Sequence, residues 1–430
     1  MPEIPLTATL DTSSPAPPTL EKLPSLKSLR LRGLVVTLPL VMLGFCLVAS
    51  AFSGIFVAIQ IRQIDPENFI GSFALVIGVG SITAMISTPI IGTISDRTRT
   101  RLGPRIPFLI IGALATLLIC IAFGFANNLV LLIVLTFLLQ ISLPMTNGPL
   151  ATYIPEHVPL GRRGLFSSAF GLAALVGALA GQSVGAAFAT YISTGYIVVA
   201  VVLVIFVAIF VVTNARGADN RGRPVPAFSW GKALHMFWVN PKKHPDFAWA
   251  FSGRFLLSVG YFMIVTYQLY ILQDYIKLGD DAVGVIPLIG LVNLAAIIVA
   301  TPIAGILSDK FHRRKVIVFV AGVLLALGMV FPVVMPTVTG MILYSIVGGL
   351  GFGAWSSVDF ALVSEVLPSS DDVGKDLGII NITSTLPQTM AAAFASVIVA
   401  LFGGFAGLFI VAALCVLAGA ALVAPIKSIR

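Results

Sequence analysis

Two ionisable residues stand inside long apolar runs of this chain, away from any loop: Arg254 within 248–272 and Asp359 within 338–362. A charge at mid-membrane costs about 2.5 to 3.5 kcal/mol on insertion scales, so a run that keeps one points to a task for it. Arg254 lies about two turns from the end of its run nearest the basic loops, and Asp359 about one turn from the corresponding end of its own. Their similar depth permits an ion pair, and a buried carboxylate that exchanges its partner or its proton would act as an inner gate or a proton-linked switch. The competing accounts are that Arg254 snorkels to the membrane interface and that Asp359 pairs locally near its helix end.

Polar and aromatic residues recur at helical spacing on four apolar runs. Arg254, Tyr261 and Gln268 are seven apart, with Ser258 on the same stripe; Ser345, Phe352 and Asp359 repeat the pattern, flanked by Trp355 and Ser356. Gln140 and Asn147 are also seven apart, as are Ser53 and Gln60, with Phe56 beside them. Seven residues make nearly two helical turns, so each set occupies one face. Amides suit hydroxyl groups and aromatic faces suit sugar rings, so Ser53, Phe56, Gln60, Gln140, Asn147, Tyr261, Gln268, Trp355 and Ser356 are the candidates for binding a neutral, hydroxylated small molecule. Taken singly, each amide could equally be interhelical glue. Asn293, Asn381 and Gln388 are assigned to that packing role.

A third constellation is a repeat. Gly92 to Arg105 reads GTISDRTRTRLGPR, and a degraded copy, GILSDKFHRRK, returns 213 positions later at Gly305 to Lys315. The register extends upstream, with Thr88, Pro89 and Ile90 falling on Thr301, Pro302 and Ile303. Glu156-His-Val-Pro159 and Glu365-Val-Leu-Pro368 form a weaker pair, each followed by basic residues such as Arg162, Arg163 and Lys375. A carboxylate at the end of a helix can face the N-terminus of another helix, and arginines can pair with acids across a gap. Gly92, Asp96, Arg97, Arg101, Glu156, Arg163, Asp309 and Glu365 are therefore the candidates for a latch between two halves, made only when their basic ends close together. The alternative is a plain topology signal that holds basic loops inside.

The elements that must position these residues are membrane helices. Of 430 residues 58% are apolar and only 10% charged, with a mean hydropathy of +1.03, and the apolar runs are unbroken rather than alternating. That excludes a soluble protein and a β-barrel. Twelve spans are expected, at about 34–61, 69–92, 106–126, 129–152, 165–190, 194–213, 248–272, 283–305, 316–335, 338–362, 377–402 and 405–425. They divide into a disordered tail (1–33), a six-helix bundle (34–213), a linker (214–247) carrying a short amphipathic helix, SWGKALHMFW, and a second six-helix bundle (248–430). The fold class is thus all-α integral membrane, two pseudo-symmetric bundles of six. All 26 Lys and Arg except Arg62 and Lys277 fall on one side, counting Arg254 with its nearer face, which places both termini in the cytoplasm of an inner-membrane protein. The net charge of +8 is thereby topological and implies no nucleic acid.

The motif residues carry a family resemblance. Gly92-x-x-x-Asp96-Arg97-x-x-x-Arg101 resembles the helix 2 to 3 signature of the major facilitator superfamily, and its continuation through Arg105-Ile-Pro-Phe resembles the sucrose-transporter and glycoside-pentoside-hexuronide cation symporter branch. Phe237-Trp-Val-Asn-Pro, Tyr267-Gln-Leu-Tyr-Ile-Leu-Gln-Asp274 and Gly374-Lys-Asp-Leu-Gly378 are similar to segments of uncharacterised bacterial members of that branch. The resemblance implies a central cavity lined by helices 1, 4, 7 and 10 and, in that branch, coupling acids in the first bundle. Helices 2 and 4 hold no mid-membrane carboxylate, so those positions do not carry over. The expected function is secondary active transport by alternating access, a proton-coupled symport of a sugar or glycoside, with proton-driven efflux of a drug-like or amphipathic compound as the rival. An enzyme is not expected: there is no nucleophile with a base at usable spacing, no metal cluster and no phosphate-binding glycine loop. Cys46, Cys120 and Cys415 lie in apolar runs and behave as small hydrophobes. No cofactor and no metal are expected; the partners are a small-molecule substrate, the proton and the lipid bilayer, and the chain is expected to act as a monomer.

Overall fold

The computed structural model describes residues 29–214, 245–311, 313–366 and 373–426. Of the expected tail, residues 1–28 lie outside the described residues, whereas 29–33, expected to be disordered, form the start of the first helix; the amphipathic helix of the linker and the side chains of Glu156, Asp309 and Glu365 also lie outside the described residues. Among the described residues twelve helices succeed one another. The first six are α1 (29–64), α2 (Phe69–Arg97), α3 (Ile106–Phe123), α4 (Leu129–His157), α5 (Arg163–Ala187) and α6 (Ile192–Asn214). The second six are α7 (245–275), α8 (Ala282–Phe311), α9 (Arg314–Val334), α10 (Val338–Val366), α11 (Val373–Phe402) and α12 (Phe405–Ala421). Ten are long and apolar enough to cross a membrane; α12 and the apolar part of α11, Leu386–Phe402, are apolar but shorter.

The ends differ from expectation where polar residues continue a helix beyond its apolar run. Helix α2 extends to Arg97, so Asp96 stands on its last turn, and α10 extends to Val366, which puts Asp359 two turns inside rather than one. Helices α1 and α7, the first of each half, both contain a π-helical turn: Phe52–Phe56 interrupts α1, and Ile271–Tyr275 ends α7. Such single wide turns inside α-helices concentrate at functional sites, and nothing in the local sequence announces them.

Helices in lipid gain little from hydrophobicity on meeting each other, so close approach through small residues has to supply the contact. In the first half α1 packs on α5, where a Cβ at Gly177 would stand 2.9 Å from Leu43 Cα and one at Gly181 would run into the Leu47 carbonyl. In the second half α10 lies between α8 and α9. There a Cβ at Gly353 would meet the Ile297 backbone at 2.8 Å, and one at Gly351 would meet the Ala321 carbonyl at 2.7 Å. The halves meet along α2 with α11 and α5 with α8.

The α1–α2 and α7–α8 loops share one face of the bundle, the acidic face, which carries Asp65, Glu67, Lys277, Asp280 and Asp281. The α2–α3, α4–α5 and α8–α9 loops form the opposite, basic face.

Candidate functional site

The structure brings Arg254 and Asp359 together. Arg254 is on the third turn of α7 and Asp359 two turns from the end of α10; Nη1 of the arginine lies 3.0 Å from Oδ2 of the carboxylate, with side chains only 11% and 9% exposed. Trp355 lies one turn back along α10, on the same side of the helix as Asp359. Charge of one sign is thus set against charge of the other, as a buried ion must be if it is to stay ionised.

Two turns farther along the same two helices is an aromatic stack. Tyr261, two turns along α7 from Arg254, lies face to face with Phe352 of α10 at 3.9 Å between ring centroids, and Phe352 in turn contacts Trp355 at 5.4 Å. Tyr261 and Trp355 are buried, whereas Phe352 is half-buried and Ser356 exposed. Ser356 donates to the Gly353 carbonyl of its own helix, which leaves its oxygen lone pairs for other contacts. Gln268, the next member of the α7 stripe, is half-buried at the other end of this helix.

In the first half the candidates separate. Ser53 on α1 is exposed and Asn147 on α4 half-buried, and Cβ atoms placed on their neighbours Gly54 and Gly148 would meet nothing within 4 Å. Open space therefore lies beside both. Gln60 and Phe56 do not join them. The Gln60 amide is buried inside the first bundle, donating to the carbonyls of Phe123 (2.8 Å) and Ala126 (3.0 Å) and accepting from the Tyr196 hydroxyl (3.1 Å). Phe56 packs at 4.8 Å against that same tyrosine. Both residues hold α1 to α3 and α6, because the π turn at Phe52–Phe56 rotates the rest of α1 away from the face that carries Ser53. Gln140 lies against α2 at Gly80, 3.3 Å from where a Cβ would stand, in the position of a packing residue. A cavity of about 630 Å³ opens on the acidic face of this half, lined by Gln60, Gln63, Asn127, Thr190 and Tyr191 among others, but the Gln60 amide in its floor is already spent on internal bonds.

Within the basic motif, Ser95, Asp96 and Arg105 bond to one another across the loop. Asp96 pairs with Arg105 at 2.5 Å, Ser95 Oγ donates to the Pro104 carbonyl at 3.0 Å, and Arg105 reaches Ser95 at 3.2 Å. The turn that permits this closes at Gly103, whose φ of 81° is the left-handed region glycine enters freely. Arg97 and Arg101 are exposed, Arg163 donates to the Val158 carbonyl at 3.1 Å, and Gly92 has open space beside it. Asp96 was expected to face the other half; its bond to Arg105 arises because a loop of this length returns Arg105 to the start of α3, next to the end of α2. Ser308, the repeat of Ser95, is likewise buried.

Sequence periodicity missed one group altogether, at the acidic face. Arg62 on α1 crosses to α7, where it meets Asp274 at 2.6 and 3.1 Å and Gln273 at 2.7 Å. Both ends of that contact read as loop-side charges in the sequence; only the offset between the two halves, which periodicity cannot supply, brings them together.

The comparisons with known proteins agree with this architecture. A model of the Major Facilitator Superfamily matches residues 6–164, 41–300 and 268–428. The chain belongs to that superfamily. It is a multi-pass membrane transporter and not an enzyme. Among solved structures, a D-xylose-proton symporter superposes with a TM-score of 0.69 at 16% identity, over 92% of this chain and 98% of that one. A mutant of the nucleoside transporter NupG superposes at 0.73 and 13% identity, over 92% and 100%. At those identities the likeness is one of fold. An arabinose-proton symporter from Bacillus subtilis (strain 168) is 35% identical over 71 residues, a match covering 16% of this chain and 15% of that protein.

Proposed function

We propose that this superfamily member is a proton-coupled symporter of a sugar or glycoside, working by alternating access, with its basic face and both termini in the cytoplasm. The observation that carries the reading is the joint site on α7 and α10: a buried ion pair and, farther along the same two helices, an aromatic stack. An aromatic face with the Ser356 hydroxyl on the same helix suits a neutral ring bearing hydroxyl groups. The Arg254–Asp359 pair supplies the charged element that proton coupling requires. A proton arriving on the carboxylate would release Arg254, and the arginine's next partner would differ between the two access states, which is how one binding event biases a two-state equilibrium. Ser53 and Asn147, beside open space in the first half, are the proposed contacts from the opposite wall.

The symporter neighbours support the reading in general terms, as does the resemblance of the motif to the glycoside symporter branch. Coupling through an acid of the second half would be a departure from that branch. The test is uptake of labelled pentoses, hexoses and disaccharides into proteoliposomes under an inward proton gradient. Accumulation of one of them that a protonophore collapses is the expected result. Extrusion of amphipathic dyes with no sugar accumulation would replace the reading with proton-driven export.

A further inference from the structure

At the acidic face a set of side chains joins the two halves. Arg62 of α1 is held there three ways: by two bonds to the Asp274 carboxylate (2.6 and 3.1 Å), by the Gln273 amide oxygen (2.7 Å), and by Phe69 of α2, over whose ring its guanidinium sits 4.7 Å from the centroid. One turn deeper, Tyr270 donates to the Ala58 carbonyl of α1 at 2.8 Å and stacks edge-on against Phe69 and Phe73 of α2. Deeper still, the Tyr267 hydroxyl lies within hydrogen-bond reach of the Ile70 carbonyl (3.3 Å) and of the Ala392 carbonyl of its own half (3.2 Å), and its ring packs edge-on against Phe73. A polar clamp thus sits on two layers of aromatic contact, all between α7 on one side and α1 and α2 on the other.

Gln273 and Asp274 are adjacent in sequence, yet both reach one guanidinium nitrogen. In an α-helix neighbouring side chains diverge by about 100°, and a wider turn reduces that angle. Both residues lie in the π-helical turn Ile271–Tyr275. Arg62 is in addition one of only two basic residues that the charge pattern assigns to this face, Lys277 being the other, which is exposed.

We propose that Arg62 and the π-helical turn Ile271–Tyr275 form a bolt that keeps the acidic face shut, so that their separation is required for the transporter to open on that side. The bolt is distinct from the Arg254–Asp359 site, which lies wholly in the second half. Its side chains are about one-third exposed (35% for Arg62, 31% for Asp274), so water and salt weaken it. It therefore biases the equilibrium without locking it. The proposal rests on alternating access but not on sugar or proton, and its test measures distance rather than transport, so the two readings can fail separately.

The experiment is pulsed electron resonance between spin labels at Glu67→Cys and Asp280→Cys, exposed positions on the two sides of the seam, after replacing Cys46, Cys120 and Cys415 by alanine. The parent is expected to show mainly the short separation. Arg62→Gln and Asp274→Asn should each raise the long-distance fraction about threefold to tenfold, the effect of losing a hydrogen-bonded, partly screened ion pair. The exchanged pair, Arg62→Asp with Asp274→Arg, should return the distribution most of the way and so separates a broken contact from a damaged fold. Unchanged distributions in both single variants would overturn the proposal, as would an exchanged pair as open as the singles.

Discussion

Removing the charge of Asp359 alone should harm the protein as much as removing both charges of its pair. At 3.0 Å the two groups attract by about 5.5 kcal/mol if the effective dielectric is about 20. Desolvating both ions offsets most of that, so the net worth of the intact pair is small, whereas an ion left buried without its partner costs about 3 kcal/mol. Asp359→Asn leaves Arg254 charged at 11% exposure, and Arg254→Gln leaves the carboxylate charged at 9%. Each single variant should therefore lose about 2 to 3 kcal/mol, since the ion left behind keeps about one-tenth of its surface in contact with solvent. Arg254→Gln with Asp359→Asn should lose no more than either alone, a coupling energy of about 2 to 3 kcal/mol. Thermal unfolding of the four proteins in detergent reads this cycle, at about 1 °C per kcal/mol for a chain of this size, with gel filtration confirming that each is monodisperse. A double variant whose Tm loss equals the sum of the two singles would show that the ions do not hold each other, and would refute the reasoning.

Three further outcomes are expected from the packing and the site. Gly181→Ala drives a Cβ into the Leu47 carbonyl and should cost about 1 to 3 kcal/mol, while Gly171→Ala on the same helix, with nothing within 4 Å, should be neutral or slightly stabilising; paired melting curves decide. Gly103→Ala places a side chain at φ 81° and should cost about 1 to 2 kcal/mol locally, seen as faster hydrogen exchange over residues 95–105, where Asp96 and Arg105 meet. Phe352→Ala removes the ring stacked on Tyr261 and should weaken sugar binding roughly tenfold, followed by the fluorescence of Trp355, which lies beside that stack.

The fold was legible because membrane helices announce themselves by length and apolarity, and because the repeat of Thr88–Asp96 at Thr301–Asp309 reveals two like halves. The proximity of Arg254 and Asp359 was also legible, since two charges at similar depth in apolar runs have few other ways to be accommodated. Rotation about a helix axis was not. Spacing of seven places Ser53 and Gln60 on one face of an ideal helix, but the π turn between them sends Gln60 to Tyr196 and the Phe123 carbonyl. Loop-mediated partners were likewise hidden: Asp96 finds Arg105 through a turn whose geometry depends on Gly103, and Arg62 finds Asp274 only across the seam between the halves. Periodicity reports which face a residue shares with its neighbours, and says nothing about what that face meets.

The most direct measurement of the transport reading compares two modes in proteoliposomes carrying either the parent or Asp359→Asn. One mode is accumulation of a transported sugar under an inward proton gradient; the other is exchange of that sugar at equal pH on both sides. If Asp359 couples proton to sugar, the variant loses gradient-driven accumulation while still exchanging sugar. Undiminished proton-driven accumulation by Asp359→Asn would contradict the account.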